Sequence, residues 1–218
     1  KDIIATSREV FPTGGDRGTV SGYSSGGYTG SVRTTTIDKY PLSSDGNATD
    51  VGDLLALVTL GAGQSSNTNG YYSGGLTGPS TVTDTIQKFP FSVDAGSSDV
   101  GNLSTQPSYG RHSVEGQSSG EHGYTSGGAS GAPLFDTIDK FAFAADGDAT
   151  DVGDLTQARR SMAGQSSMSN LLNSGGYRPA GPPYGVNTID KFPFSSDANA
   201  TDVGNLATVS LDVAGQNS

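Results

Sequence analysis

The chain has 218 residues and a formal net charge of −10, with 33 glycines, 32% hydrophobic residues and neither cysteine nor tryptophan. That composition excludes disulfides and thiolate metal sites and one thick leucine-rich core. Its 12 Lys and Arg are scattered, which argues against the clustered basic surface that nucleic acid or an anionic membrane requires.

In chain order, residues 1–19 read as an additional, divergent terminal strand segment. With Lys1 in place of an initiating methionine, the chain is expected to be processed, cut from something longer or incompletely identified. Four approximate repeats follow, at 20–66, 67–119, 120–167 and 168–218. The block Thr36-Ile37-Asp38-Lys39-Tyr40-Pro41-Leu42 recurs at Thr85, Thr137 and Thr188. Asp-Val-Gly-Asp/Asn-Leu begins at Asp50, Asp99, Asp151 and Asp202. A Gly-Gln pair recurs at Gly63, Gly116, Gly164 and Gly215, spaced 53, 48 and 51 residues apart. Ser-Gly-Gly ends at Gly27, Gly75, Gly128 and Gly176.

A period near 50 belongs to the propeller repeats. Each unit reads as four short strands parted by Gly, Ser, Asn and Asp turns. Strand a carries Gly-Gln, strand b ends in Ser-Gly-Gly, strand c is Thr-Ile-Asp-Lys-Phe-Pro-Phe and strand d holds Asp-Val-Gly. Along strand c the apolar groups fall on both faces, as expected of a blade between two neighbours. Its proline, lacking an N–H, belongs at a strand end or bulge. No run of apolar residues approaches a membrane span.

These motifs resemble the kelch family: a strand, a Gly-Gly doublet, a variable loop, a strand with an aromatic, then a last strand. In wording they look closest to kelch-like repeats of marine phage structural proteins. The likeness covers about Arg8 to Ser218. It departs in lacking the tryptophan common in the last kelch strand and in having four copies. The resemblance implies an all-β, propeller-like array of four four-stranded repeats, with an open or intermolecularly completed array as the alternative. Five a-type segments stand against four each of b, c and d. The surplus strand is expected to close the ring, to belong to a larger propeller or to pair with a neighbouring molecule.

Candidate chemistry is sparse. Asp45, Asp50, Asp146 and Asp151 lie in oxygen-rich segments that could hold calcium, although fixing the c–d turn through backbone bonds is the simpler role. No other cofactor is implied. Lys39, Lys88, Lys140 and Lys191 recur and are expected to contact Asp50, Asp99, Asp151 and Asp202. His112 and His122 lie outside the repeat pattern, with no nucleophile elbow and no phosphate loop nearby. The chain therefore reads as no enzyme.

The repeats differ most in their b–c and d–a loops, which emerge on one face and can display binding groups. Tyr109, Arg111, His112, Arg159, Arg160, Arg178 and Tyr184 form the candidate recognition face. The resulting expectation is a structural or adhesive component of an extracellular assembly, a phage virion or fibre. Its partners would be other structural proteins, copies of itself or a host surface glycan, without nucleic acid or membrane insertion. A carbohydrate- or protein-binding propeller module is the alternative.

Overall fold

A computed structural model describes residues 21–104, 110–179 and 181–215. All regular structure among them is β. The first sheet holds β1 (Ser21–Ser25), β2 (Thr34–Pro41) and β3 (Thr49–Val58). The second holds β4 (Ala62–Ser65), β5 (Asn69–Ser73), β6 (Thr85–Pro90) and β7 (Ser98–Asn102). The third runs β8 (Glu115–Ser118), β9 (His122–Ser126), β10 (Thr137–Ala142) and β11 (Thr150–Asp154). The fourth runs β12 (Ala163–Ser166), β13 (Asn170–Ser174), β14 (Val186–Pro193) and β15 (Thr201–Ser210).

Each sheet is an antiparallel meander in chain order. The Gly-Gln strand opens each sheet from the second onward, so the sheets begin one strand before the repeat boundaries at 67, 120 and 168. The segment that would supply such a strand to the first sheet, residues 1–19, lies outside the described residues. The strand prolines Pro41, Pro90 and Pro193 each end their strand, where the missing N–H disturbs no ladder.

Among the described residues three apolar cores hold four sheets together. Between the first and second sheets lie Ile37, Leu54 and Val58 on one side and Tyr72 and Phe89 on the other, with Tyr23, Val51 and Phe91 at the margin. Tyr71, Ile86 and Leu103 meet Phe141 and Ala149 in the next core. Tyr124, Ile138 and Leu155 meet Met162, Leu171 and Phe192 in the last. The recipe repeats to the level of ring geometry. One tyrosine stacks on the second strand-c aromatic of the following sheet, with centroids 4.7 Å apart for Tyr23–Phe91, 4.9 Å for Tyr71–Phe143 and 4.9 Å for Tyr124–Phe194. Among the described residues no core joins the fourth sheet to the first, and the array is open.

Two glycine positions make these joints possible. The Ser-Gly-Gly doublets have positive φ throughout, for example 66° and 110° at Gly74 and Gly75, a region that L side chains avoid. They let the second glycine N–H donate to Val58, Arg111, Arg159 and Ser210 carbonyls in turn. In Asp-Val-Gly the constraint is approach. A Cβ on Gly52 would lie 2.5 Å from the Ala95 carbonyl carbon, and on Gly101 and Gly153 it would lie 2.2 Å from the carbonyl oxygens of Gly147 and Ala198. The c–d loop of each sheet rests directly on that glycine of the preceding one.

The Gly-Gln motif adds a polar joint. Gln64 Nε2 donates to Ser73 Oγ at 2.9 Å and, in the third sheet, to the Tyr124 carbonyl at 3.0 Å and Thr125 Oγ1 at 2.9 Å. Gln117 Nε2 reaches Asn173 Oδ1 in the fourth sheet at 2.8 Å. These amides are buried and partnered, as burial of polar groups demands.

Candidate functional site

The b–c loops and d–a segments emerge together and pair through single bridges, Thr59 with Leu76, His112 with Ala129 and Arg160 with Tyr177. This is the face on which the sequence placed its recognition residues. Three of the seven meet there, on the fourth sheet. The Tyr177 and Tyr184 rings stack at 6.1 Å, the Arg160 guanidinium lies 4.8 Å from the Tyr177 centroid, and Arg178 Nη1 donates to Gln157 Oε1 at 3.2 Å. Tyr184 is 49% exposed. Beside them runs a cleft of about 400 Å³ lined by Gln157, Arg178, Gly181, Pro182, Thr188 and Val209, among others. A flat aromatic next to guanidinium and amide groups can stack on a sugar ring or cover a peptide while the polar groups accept and donate hydrogen bonds.

The other candidates go elsewhere. Arg111 and Arg159 are 3% and 0% exposed. Arg111 pairs with buried Asp139, and Arg159 Nη2 sits 3.1 Å from Asp190 Oδ2. Burial draws both guanidiniums below their ordinary pKa, with the paired carboxylates opposing, and burial pushes Asp139 up against the pull of Arg111. These two arginines thus face the interior of their own sheets and not solvent, because each has an aspartate opposite it on strand c. His112 is also buried. Burial and then Arg160 lower its pKa, and its Nδ1 lies 3.0 Å from Ser113 Oγ. Tyr109 lies outside the described residues.

The aspartates divide by position. Asp50 and Asp151 each accept the backbone N–H two residues on, from Gly52 and Gly153, at 3.1 Å. Asp99 and Asp202 do the same. Asp146 instead binds a lysine, and Asp45 stands exposed. Among the described residues no group of three or more His, Cys, Asp or Glu could hold a metal ion.

Three of the four lysines contact aspartates, but not those expected. Their partners lie in the c–d loop of the next sheet. Lys39 pairs with Asp94 at 3.1 Å, Lys88 with Asp146 at 2.5 Å and Lys140 with Asp197 at 2.5 Å. The Asp94 hydrogen bond raises the Lys39 pKa. The reason is geometric: the aspartate of Asp-Val-Gly is already engaged by its own bulge, and the neighbouring loop lies over the lysine.

Two groups escaped the sequence reading. Tyr177 completes the aromatic pair, and its signal was present in the longest b–c loop. Glu115 stands where other strands a have Ala62 and Ala163, and burial pushes its carboxyl up to about 7 against the hydrogen bond from the Gly164 backbone. The substitution of Glu for Ala before Gly-Gln was the available signal.

No family model matches the chain, and no curated protein matches it. Among solved structures the chain is similar to that of YjhT, with 10% identity and a TM-score of 0.66 over 88% of this chain and 67% of that one. At that identity the likeness shows the fold alone. The chain is an all-β, propeller-like array of four repeats, open in this structure.

Proposed function

We propose that this chain is a non-enzymatic structural or adhesive component of an extracellular assembly, with a phage virion or fibre as the setting. The observation that carries the reading is where the charged side chains are used. Lys39, Lys88 and Lys140 tie each sheet to the next. Arg111–Asp139 and Arg159–Asp190 brace the third and fourth sheets from within. Chemistry that an active site would deploy in a cleft is here built into a repeating scaffold. The wording of the repeats, which resembles that of kelch-like marine phage proteins, supports the same setting. Immunogold labelling of particles purified from the source culture tests it. Regular labelling of a virion or filament is expected, and recovery of the protein only in the soluble cytosolic fraction would overturn it.

A binding module is the second reading, favoured by the exposed Tyr184 beside Arg178 and the adjoining cleft. Aromatic rings on a rigid scaffold are frequent anchors. A glycan array should then show hits that Tyr184→Ala and Arg178→Ala abolish. An array without hits would remove the carbohydrate form of this reading.

A further inference from the structure

The two ends of the array are the two halves of its internal joint. In each of the three joints, the leading half supplies a strand-c Ile, a strand-d Leu, the Asp-Val-Gly glycine and a strand-c lysine. The following half supplies two phenylalanines of the strand-c motif and a c–d loop with an aspartate. Ile37, Ile86 and Ile138 are 0% exposed in this arrangement, and Phe89, Phe141 and Phe192 at most 4%.

Among the described residues the fourth sheet carries a leading half, with Leu172 in the place of Tyr23, Tyr71 and Tyr124, and no following one. Ile189 and Leu206 are only half-buried, Val203 is 47% exposed, and Lys191 is exposed. A Cβ on Gly204 would meet nothing within 4 Å, where Gly52, Gly101 and Gly153 are pressed by a neighbouring loop. Among the described residues the first sheet carries a following half, with Leu42 where the internal joints have a stacked phenylalanine, and no leading one. Tyr40 and Leu42, in the places of Phe89 and Phe91, are 37% and 49% exposed. Asp45, in the place of Asp94, is exposed. Ala48 is exposed while its counterparts Ala149 and Ala200 are buried, each donating its N–H to a strand-d carbonyl of the preceding sheet. Neither Asp45 nor Lys191 forms an ion pair among the described residues.

We propose that these faces mate head to tail between copies of this chain. The fourth sheet of one copy would receive the first sheet of the next through the same joint used three times within the chain. Lys191 would pair with Asp45 of the next copy, Tyr40 and Leu42 would cover Leu172, Ile189 and Leu206, and the Asn47–Ala48 loop would rest on Gly204. Charge complementarity supports this occupant: a cation is unpaired on one face and a carboxylate on the other, at the two positions that pair in every internal joint. A second copy also satisfies both faces at once, which any single-segment occupant would not. The contact is heterologous, so it grows into a ring if its rotation closes and into a filament if it does not.

The inference rests on the reading of the chain as a structural component, but the two fail in different measurements. Particle labelling can fail while the purified chain still self-associates, and the chain can stay monomeric while still found on particles. The test is light scattering coupled to size exclusion over a hundredfold range of concentration, with negative-stain microscopy. The wild-type chain should exceed monomer mass as a closed ring or a filament. A head variant, Leu42→Asp, and a tail variant, Val203→Asp, should each be monomeric, since both changes lie on exposed positions. Mixed together they should give a heterodimer and nothing larger, because one sound head then meets one sound tail. Asp45→Lys and Lys191→Asp should each weaken assembly, and the double variant should restore it. A wild-type chain monomeric throughout would overturn the proposal. So would variants that leave the mass unchanged, or a mixture that stays monomeric.

Discussion

The second and third sheets solve one packing problem in two ways. Where strand d hands over to strand a, the residue whose carbonyl caps the preceding Gly-Gly doublet is Val58 in one case and Arg111 in the other. Opposite it on strand c stand Gln87 and Asp139. Here Val58 at the end of β3 meets the second sheet's Gln87, an aliphatic side chain with a neutral amide, and Gln87 Oε1 accepts from the Leu55 N–H at 2.7 Å and from Ser97 Oγ at 2.9 Å. The third sheet has a buried ion pair at this position, and the fourth repeats that choice with Arg159 and Asp190. A buried pair costs desolvation that its attraction need not repay, so the charged version is no guarantee of extra stability. What it creates is dependence: each charge becomes costly once the other is gone.

Breaking the pair gives the largest expected effect. Arg159→Ala leaves Asp190 buried without its countercharge and should cost about 3–5 kcal/mol, read as a lowered urea midpoint at unchanged slope. Arg111→Val alone should fall in the same range, whereas Arg111→Val with Asp139→Gln installs the second sheet's wording. That double variant should return to within about 1 kcal/mol of wild type or exceed it. A double variant as unstable as the single one would mean that the two sheets differ in more than these side chains.

The next effect is one of pH. Glu115 is raised from 4.5 to about 7, so between those values the folded chain holds a proton that the unfolded chain has released. Stability therefore falls as pH rises through that window, by on the order of 3 kcal/mol. Glu115→Gln should flatten this part of the profile and leave a chain more stable than wild type above pH 7. Denaturation midpoints at pH 5 and pH 8 measure it.

The smallest effect belongs to the lysine–aspartate rungs. Lys140 and Asp197 retain 22% and 53% side-chain exposure, and Lys140→Ala should cost at most about 1 kcal/mol. High salt should shrink the difference between variant and wild type. A loss that is large and insensitive to salt would show that the rung is held by packing.

Strand positions and the repeat were legible because they are written four times at a steady period. The strand-c prolines and the Gly-Gly doublets fell where chain geometry demands. Partnerships across sheets were less legible. Lys39 was matched to Asp50, a neighbour across its own hairpin, because the approach of the Asp94 loop depends on how two sheets pack and not on any local pattern. Arg111 and Arg159 looked like loop display because they sit in variable segments. Their burial is signalled only jointly, by an aspartate at 139 and 190 where the second repeat has Gln87 opposite Val58. Of the recognition face, Arg160, Arg178 and Tyr184 were legible as loop residues, while the stacking of Tyr184 on Tyr177 required the path of the longest b–c loop.

The likeness of the three joints bears on how this molecule comes apart. Each sheet is held through contacts with its chain neighbours, so cooperativity passes along the array as a nearest-neighbour coupling. The second and third sheets are clamped on both flanks, the first and fourth on one. In a chain held monomeric, as Leu42→Asp and Val203→Asp each should be, amide exchange should accordingly be fastest in β1–β3 and β12–β15 and slowest in β5, β6, β9 and β10, with opening advancing inward from the ends like a zipper pulled from both sides.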